Sequence, residues 1–163
     1  MEIKDAIEFM KEKHKGQMRD QGTPYYTHPL EVSNILKSKG FSKKYQIVGL
    51  FHDLLEDTNT TFEEIEKLTD SETAIAVKLL TKENGYIMKE YIKRISENEI
   101  AKNVKLADRL HNLRDSLYIT KEFRKKYIKE TEKWYTNLAK GTIFEKELKT
   151  IIDKIKEKDS LNH

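Results

Sequence analysis

The chain has 163 residues, no cysteine, and 31 basic against 28 acidic residues, which leaves a net charge of +3. This length suits one domain of ordinary size that buries a core without disulfides. The absence of cysteine excludes disulfides, thiolate chemistry and finger-type zinc sites, so any metal would need His, Asp or Glu ligands. A charge this close to neutral argues against a dedicated nucleic-acid-binding protein.

Hydropathy and periodicity indicate the fold class. No segment approaches the roughly 20 apolar residues of a membrane-spanning helix, and the N-terminus lacks a signal-peptide core. We therefore expect a cytoplasmic protein without a membrane partner. Apolar residues recur at three- and four-residue intervals, and no strand pattern of useful length occurs. The pattern predicts an all-α single domain over residues 1–155, with a polar C-terminal tail over residues 156–163.

The first part of the chain predicts two helices joined by an irregular segment. The first helix is amphipathic, and His14 near its charged end is expected to be solvated. Residues 22–29 contain both prolines of the chain, and Pro29 suits the first turn of the second helix. That helix should end near Gly40, since glycine is common just after helix C-termini. The irregular segment therefore delivers His28 to a helix start.

A third helix is expected to begin near Ser42, a plausible N-cap, to run through Leu55, and to end at about residues 57–61, because apolar residues recur along it and turn residues follow. Thr61 and Glu64 have the spacing of a capping box, which predicts the start of the next helix. Apolar periodicity predicts further helices over residues 74–80, 86–95, 101–117, 121–138 and 144–155. The chain should therefore form a bundle of about eight to ten helices.

The run of residues 52–57 places four polar groups in an apolar segment. His52 and Asp53 are adjacent, and Glu56 and Asp57 follow four residues after each. Imidazole nitrogen and carboxylate oxygen together suit divalent ions such as Mn²⁺, Fe²⁺, Co²⁺ or Zn²⁺. The alternatives are a hydrogen-bonded surface pair for His52 and Asp53, and solvated acids at a helix end for Glu56 and Asp57. Two acids near a helix C-terminus oppose the helix dipole, which argues against the second alternative.

Two distant residues are candidates for the same site. Asp108 lies among apolar residues of the helix predicted over residues 101–117, and a lone acid on such a face invites a cation. His28 follows a stiff proline-containing loop, which would hold its ring in place. Taken alone, His28 is more commonly a capping or core histidine.

The order of His28, His52-Asp53 and Asp108 resembles the metal-binding pattern of the HD-domain superfamily. Residues 17–30, 52–58 and 105–114 are similar to the hydrolase domain of the RelA/SpoT alarmone enzymes. A chain that carries this domain alone resembles the small alarmone hydrolases of the Mesh1 type. The resemblance runs from about residue 3 to about residue 140, and it implies an HD-type helical bundle.

The resemblance implies Mn²⁺-dependent hydrolysis of the 3′-pyrophosphate of ppGpp or pppGpp, which gives GDP or GTP and pyrophosphate. It implies one divalent metal ion held by His28, His52, Asp53 and Asp108. It implies an acidic pair that orients and deprotonates the attacking water, formed by Glu56 and Asp57. It implies nucleotide contacts from Arg19 and Asn112.

One departure from the family pattern keeps other functions open. Asp20 follows Arg19 where the family usually has a lysine, so an acid stands where a base would favour an anionic substrate. Another nucleotide phosphohydrolase, including one that removes the 2′-phosphate of NADPH, is the first alternative. A non-catalytic helical module that senses a nucleotide or binds a partner is the second, and the complete set of ligands argues against it. The residues leave oligomerisation open.

Overall fold

The computed structural model describes residues 1–161 of the chain. Within this range it contains ten α-helices, one short 3₁₀ helix and no β-strand beyond a single bridge between Met18 and Pro24. The prediction of an all-α fold with eight to ten helices is confirmed. Among the described residues, none of the helices combines the length and the apolar character needed to cross a bilayer.

The helices are α1 (Ile3–Lys13), α2 (Thr27–Ser38), α3 (Lys43–Phe51), α4 (Leu54–Asp57), α5 (Phe62–Leu68), α6 (Ser71–Leu80), α7 (Met88–Ser96), α8 (Glu99–Asp115), α9 (Lys121–Ala139) and α10 (Glu145–Leu161). The 3₁₀ helix, Ser116–Tyr118, follows α8. Internal contacts divide the chain into two compact units, unit 1 from Met1 to Lys105 and unit 2 from Leu106 onward. No change in composition marks this boundary, because it falls inside the continuous helix α8.

Unit 1 is built around the pair of helices α2 and α3, which pack closely on each other. Gly49 permits this approach, because a Cβ atom there would lie 3.0 Å from Leu36 Cδ1 and 3.4 Å from Val32 Cγ1. Helix α5 starts as predicted, with the Thr61 hydroxyl accepting a hydrogen bond from the Glu64 N–H at 3.1 Å. The close α2–α3 contact fixes the end of α3, where the polar run begins.

The expected third helix is wrong in one respect, because it is not continuous. Helix α3 ends at Phe51 and α4 begins at Leu54, so His52 and Asp53 occupy a turn between the two helices. At this point the His52 imidazole donates to the Gly49 carbonyl oxygen, and this bond competes with the backbone N–H of Asp53, which an unbroken helix would pair with the same oxygen.

Unit 2 contains a hairpin of α9 and α10, which pack on each other. The C-terminal end of α10 is tied to α9 by a buried ion pair in which Arg124 Nη2 donates to Asp159 Oδ1 at 2.7 Å. Residues 156–161 are therefore helical, which differs from the fraying tail predicted for residues 156–163. Residues 162–163 of that tail lie outside the described residues. The single domain over residues 1–155 stays a prediction.

The packing at Gly49 predicts a strong sensitivity to side-chain size. Gly49→Val should lower the free energy of unfolding by about 1–3 kcal/mol, because a branched side chain must displace Leu36 and Val32. In a chain of this length each kcal/mol corresponds to roughly 2–4 °C in melting temperature, which calorimetry would detect. Asn34→Val, at an exposed position of α2, is the control and should change little. Equal effects of the two substitutions would contradict the close-packing argument.

Candidate metal centre

The turn between α3 and α4 fixes the protonation of the His52 ring. Its Nδ1 lies 2.6 Å from the Gly49 carbonyl oxygen. A carbonyl oxygen only accepts hydrogen bonds, so Nδ1 carries a proton, and in the neutral form of the ring the lone pair is on Nε2. His52 is 4% exposed, so this tautomer is set inside the protein rather than by solvent.

Asp53 places a carboxylate directly against this lone pair. Its Oδ2 lies 3.1 Å from His52 Nε2, and the Tyr25 hydroxyl donates to the same oxygen at 2.5 Å. Two acceptors this close repel each other unless a proton or a cation lies with them. An imidazole nitrogen beside a carboxylate oxygen is a donor set that suits a first-row divalent ion. The residues present therefore fit a metal.

His28 lies beside His52 within unit 1. It occupies the second position of α2, is 2% exposed, and its ring centroid lies 5.3 Å from that of His52. The ring nitrogens that could bind an ion lie within 4.8 Å of each other. The loop before α2 thus delivers His28 to His52, and the two rings with Asp53 form a His/Asp cluster that could hold a divalent ion.

Two further carboxylates, those of Glu56 and Asp57, extend this cluster along α4. Ligand oxygens of Asp53, Glu56 and Asp57 lie within 4.8 Å of one another. Glu56 Oε1 accepts a hydrogen bond from the Lys82 backbone N–H at 2.7 Å, which orients its carboxylate. Acidic clusters are common on surfaces, and it is the adjacent pair of buried histidines that makes this cluster a candidate metal centre.

Asp57 has an unusual affinity for protons. The residue as a whole is exposed, but partial desolvation of its carboxyl group, together with the charges of Asp53 and Glu56, raises its pKa to about 6. A carboxylate with a pKa near neutrality accepts a proton more readily than an ordinary aspartate does. Asp57 is therefore equipped to act as a general base.

Asp108, Asn112 and Arg19 are the remaining candidate residues. Asp108 is 6% exposed on α8, in unit 2, and the Asn112 amide donates to its Oδ1 at 3.3 Å. Arg19 lies in the loop between α1 and α2, where its backbone N–H donates to Thr23 and its carbonyl accepts from Gly22. Asp20 is exposed in the same turn. The functional roles of Arg19, Asp108 and Asn112 stay predictions.

Two side chains at this site are not apparent from the sequence. Tyr25 lies in the loop before His28, and its hydroxyl is the donor that the partly buried carboxylate of Asp53 requires. The expectation that His14 is solvated is wrong, because it is 1% exposed and its ring lies 4.9 Å from that of Tyr25. Burial lowers the pKa of His14 below its ordinary value. The neighbours of His14 in the sequence are charged, and a charged segment is usually exposed to solvent, so the sequence does not indicate this burial.

Comparison with known proteins identifies the family. The family model described as the HD domain matches residues 6–142. The chain belongs to the HD domain family. This confirms the resemblance that the sequence motifs indicated.

Individual relatives refine this placement. The chain is 34% identical over 147 residues to guanosine-3′,5′-bis(diphosphate) 3′-pyrophosphohydrolase MESH1 of Danio rerio, which covers 84% of this chain and 82% of that protein. It is 38% identical over 146 residues to guanosine-3′,5′-bis(diphosphate) 3′-pyrophosphohydrolase of Aquifex aeolicus, but spans only about a fifth (21%) of that protein's length. A solved structure, described as a metazoan ortholog of SpoT that hydrolyses ppGpp, matches with a TM-score of 0.82 and 29% identity over 93% of both chains. The HD-type helical fold is thereby confirmed.

The raised pKa of Asp57 predicts how the stability of the metal-free protein depends on pH. Because the folded pKa of about 6 exceeds the ordinary value near 4, stability contributed by the protonated form is lost as the pH rises from about 4 to about 6. Asp57→Asn should therefore raise the melting temperature at pH 7.5 and have little effect near pH 3.5. Each kcal/mol gained in the free energy of unfolding corresponds to roughly 2–4 °C. Solvent screening at this exposed site keeps the gain below the full value of the shift.

The control for this measurement is Glu8→Gln, at an exposed position of α1. Both variants remove one negative charge, so the comparison corrects for net charge. Calorimetry in the presence of a chelator would follow both variants between pH 3.5 and 7.5. A stabilisation by Asp57→Asn that is the same at every pH would contradict the assignment.

Proposed function

We propose that this chain is a metal-dependent phosphohydrolase that removes the 3′-pyrophosphate of ppGpp or pppGpp, giving GDP or GTP and pyrophosphate. The observation that carries the proposal is the His52 Nε2 lone pair held 3.1 Å from Asp53 Oδ2, one helical turn before Glu56 and Asp57. The relatives named for this reaction support the choice of substrate, since the MESH1 proteins of Danio rerio and Xenopus tropicalis match over 82% and 83% of their lengths.

The proposed cofactor is one Mn²⁺ ion. Its proposed ligands are His28, His52, Asp53 and Asp108. Two imidazoles and two carboxylates leave coordination positions open for water and for a phosphate oxygen. When bound, the ion supplies Lewis-acid chemistry that acidifies water and draws charge from the phosphate. Tyr25 holds Asp53 in its ligand orientation by donating to Oδ2.

The chain's own acids supply the proton chemistry. Asp57 takes a proton from the attacking water, whose oxygen bonds to the phosphorus attached to the ribose 3′-oxygen. The bond between this phosphorus and the ribose 3′-oxygen breaks, the proton that Asp57 accepted passes to the 3′-oxygen, and pyrophosphate leaves. Glu56, held by the Lys82 backbone N–H, orients the water through its carboxylate. Arg19 and Asn112 are the proposed nucleotide contacts, with the guanidinium suited to stacking or paired hydrogen bonds.

A second substrate class is kept open by Asp20. This carboxylate is exposed beside Arg19, and its negative charge disfavours the binding of an anionic substrate group nearby. A nucleotide with less charge at this position, such as NADPH losing its 2′-phosphate, would be affected less. A non-catalytic nucleotide-sensing or partner-binding role is the remaining alternative, and it would not require an acid with the raised pKa of Asp57.

The first test of the proposed function offers ppGpp, NADPH and GDP in parallel to purified protein with Mn²⁺. We expect GDP and pyrophosphate from ppGpp. Glu56→Ala should lower kcat by about 10²-fold or more while Mn²⁺ binding is retained, whereas Asp53→Ala should also weaken Mn²⁺ binding. Glu8→Ala is the matched control for loss of an exposed acid. If ppGpp stays intact while phosphate is released from NADPH, NADPH replaces ppGpp as the proposed substrate. If neither compound is hydrolysed, the proposed enzymatic function is contradicted.

The second test concerns Asp20. Asp20→Lys should lower KM for ppGpp several-fold with little change in kcat, because it replaces a repulsive charge with an attractive one outside the reacting atoms. The gain should shrink as salt is added, since the loop is exposed. Asp20→Asn is the intermediate control. An unchanged KM in both variants would show that Asp20 does not face the substrate.

A further inference from the structure

A buried histidine at the end of α1 is connected to the acidic pair by a chain of hydrogen bonds. His14 is the C-cap residue of α1 and is 1% exposed. Its Nδ1 lies 2.9 Å from the Gln17 side-chain oxygen, and the Gln17 amide nitrogen donates to the Asp57 backbone carbonyl at 2.9 Å. Gln17 and Asp57 are 40 residues apart in sequence, so this contact ties the loop after α1 to the end of α4.

The direction of each of these two hydrogen bonds is determined. The Asp57 carbonyl can only accept, so the NH₂ group of Gln17 faces it and the amide oxygen faces His14. His14 must therefore donate from Nδ1. The second ring nitrogen, Nε2, is buried and makes no hydrogen bond within the described part of the chain.

Packing alone does not account for a histidine at this position. A buried acceptor without a partner costs folding free energy, which an apolar ring of similar size would avoid. What the imidazole provides, and an apolar ring does not, is the Nδ1–H donor to Gln17. The same ring also lies 4.9 Å from the Tyr25 ring, whose hydroxyl binds Asp53. His14 thus touches both groups that hold the two ends of the short helix α4.

Helix α4 needs such support because it has only four residues, Leu54–Asp57. A helix this short makes few internal hydrogen bonds and does not hold its own end rigidly. Its last residue is Asp57, so any movement of that end moves the carboxylate of the proposed base. A base displaced by about 1 Å can lose roughly 10²-fold in rate.

We propose that His14 and Gln17 form a brace that positions Asp57 for catalysis, with His14 acting as a positioning residue through its Nδ1–H. The inference rests on the proposed function, because it assigns the brace to the base of that reaction. The two hydrogen bonds of the brace act on the backbone of Asp57, which is neither a proposed metal ligand nor a proposed nucleotide contact. Loss of the brace should therefore lower kcat without a matching change in KM or in Mn²⁺ affinity.

The test compares three substitutions of His14 that differ in where a donor can stand. In His14→Asn the amide nitrogen occupies the place of Nδ1, so the bond to Gln17 is kept. In His14→Gln the amide extends toward the place of Nε2, and His14→Phe fills the ring volume with no donor. We expect His14→Asn to keep most of kcat, and His14→Gln and His14→Phe to lose about 10- to 100-fold, with the KM and Mn²⁺ affinity of each near the wild-type values.

Gln17→Glu tests the second bond, because a carboxylate can accept from His14 but cannot donate to Asp57. It should lose kcat as His14→Phe does. The double variant His14→Phe/Gln17→Glu should lose no more kcat than either single variant, since both substitutions interrupt the same series of hydrogen bonds. Lys15→Ala, at an exposed neighbouring position, is the control.

An NMR measurement separates the brace from the choice of reaction. The Asp57 carbonyl belongs to the peptide unit of Thr58, so the Thr58 amide ¹⁵N shift should move in His14→Phe and Gln17→Glu but not in His14→Asn. If wild-type protein leaves ppGpp intact while these shifts behave as expected, the proposed reaction fails and the brace stands. Equal losses of kcat in His14→Asn and His14→Phe, or an unmoved Thr58 shift, would overturn the brace.

Discussion

The hydrogen bond from His52 Nδ1–H to the Gly49 carbonyl is the interaction on which the rest of the site depends. It ends α3 and opens the turn that separates α3 from α4. It also selects the tautomer whose Nε2 lone pair faces Asp53. One contact between a side chain and the backbone therefore affects both the turn between α3 and α4 and the position of the proton on the His52 ring.

Around this bond, unit 1 concentrates negative charge and holds it with neutral donors. The carboxylate of Asp53 receives the Tyr25 hydroxyl, that of Glu56 receives the Lys82 backbone N–H, and Asp57 is tied through its carbonyl. Neutral donors orient the carboxylates without cancelling their charge, so the attraction for a cation is preserved and the Asp57 pKa stays high.

The sequence was informative wherever the determinants are local. Helical periodicity located most of the helices, and the Thr61–Glu64 capping box marked the start of α5. It failed where the deciding contact joins distant residues or a side chain to the backbone. The break at His52 depends on a bond to Gly49, the burial of His14 depends on Gln17 and Tyr25, and the helical end of α10 depends on the pair Arg124–Asp159, 35 residues apart. Periodicity carries no information about such contacts.

The bond that orients Glu56 has a consequence for how this site varies. Its donor is the main-chain N–H of Lys82, which every residue type except proline possesses. A substitution at position 82 other than proline therefore keeps the donor that orients Glu56. This contact is therefore recognised by comparing backbones rather than residue types at position 82. The orientation of Glu56 thus depends on the backbone conformation at position 82 rather than on the residue type there.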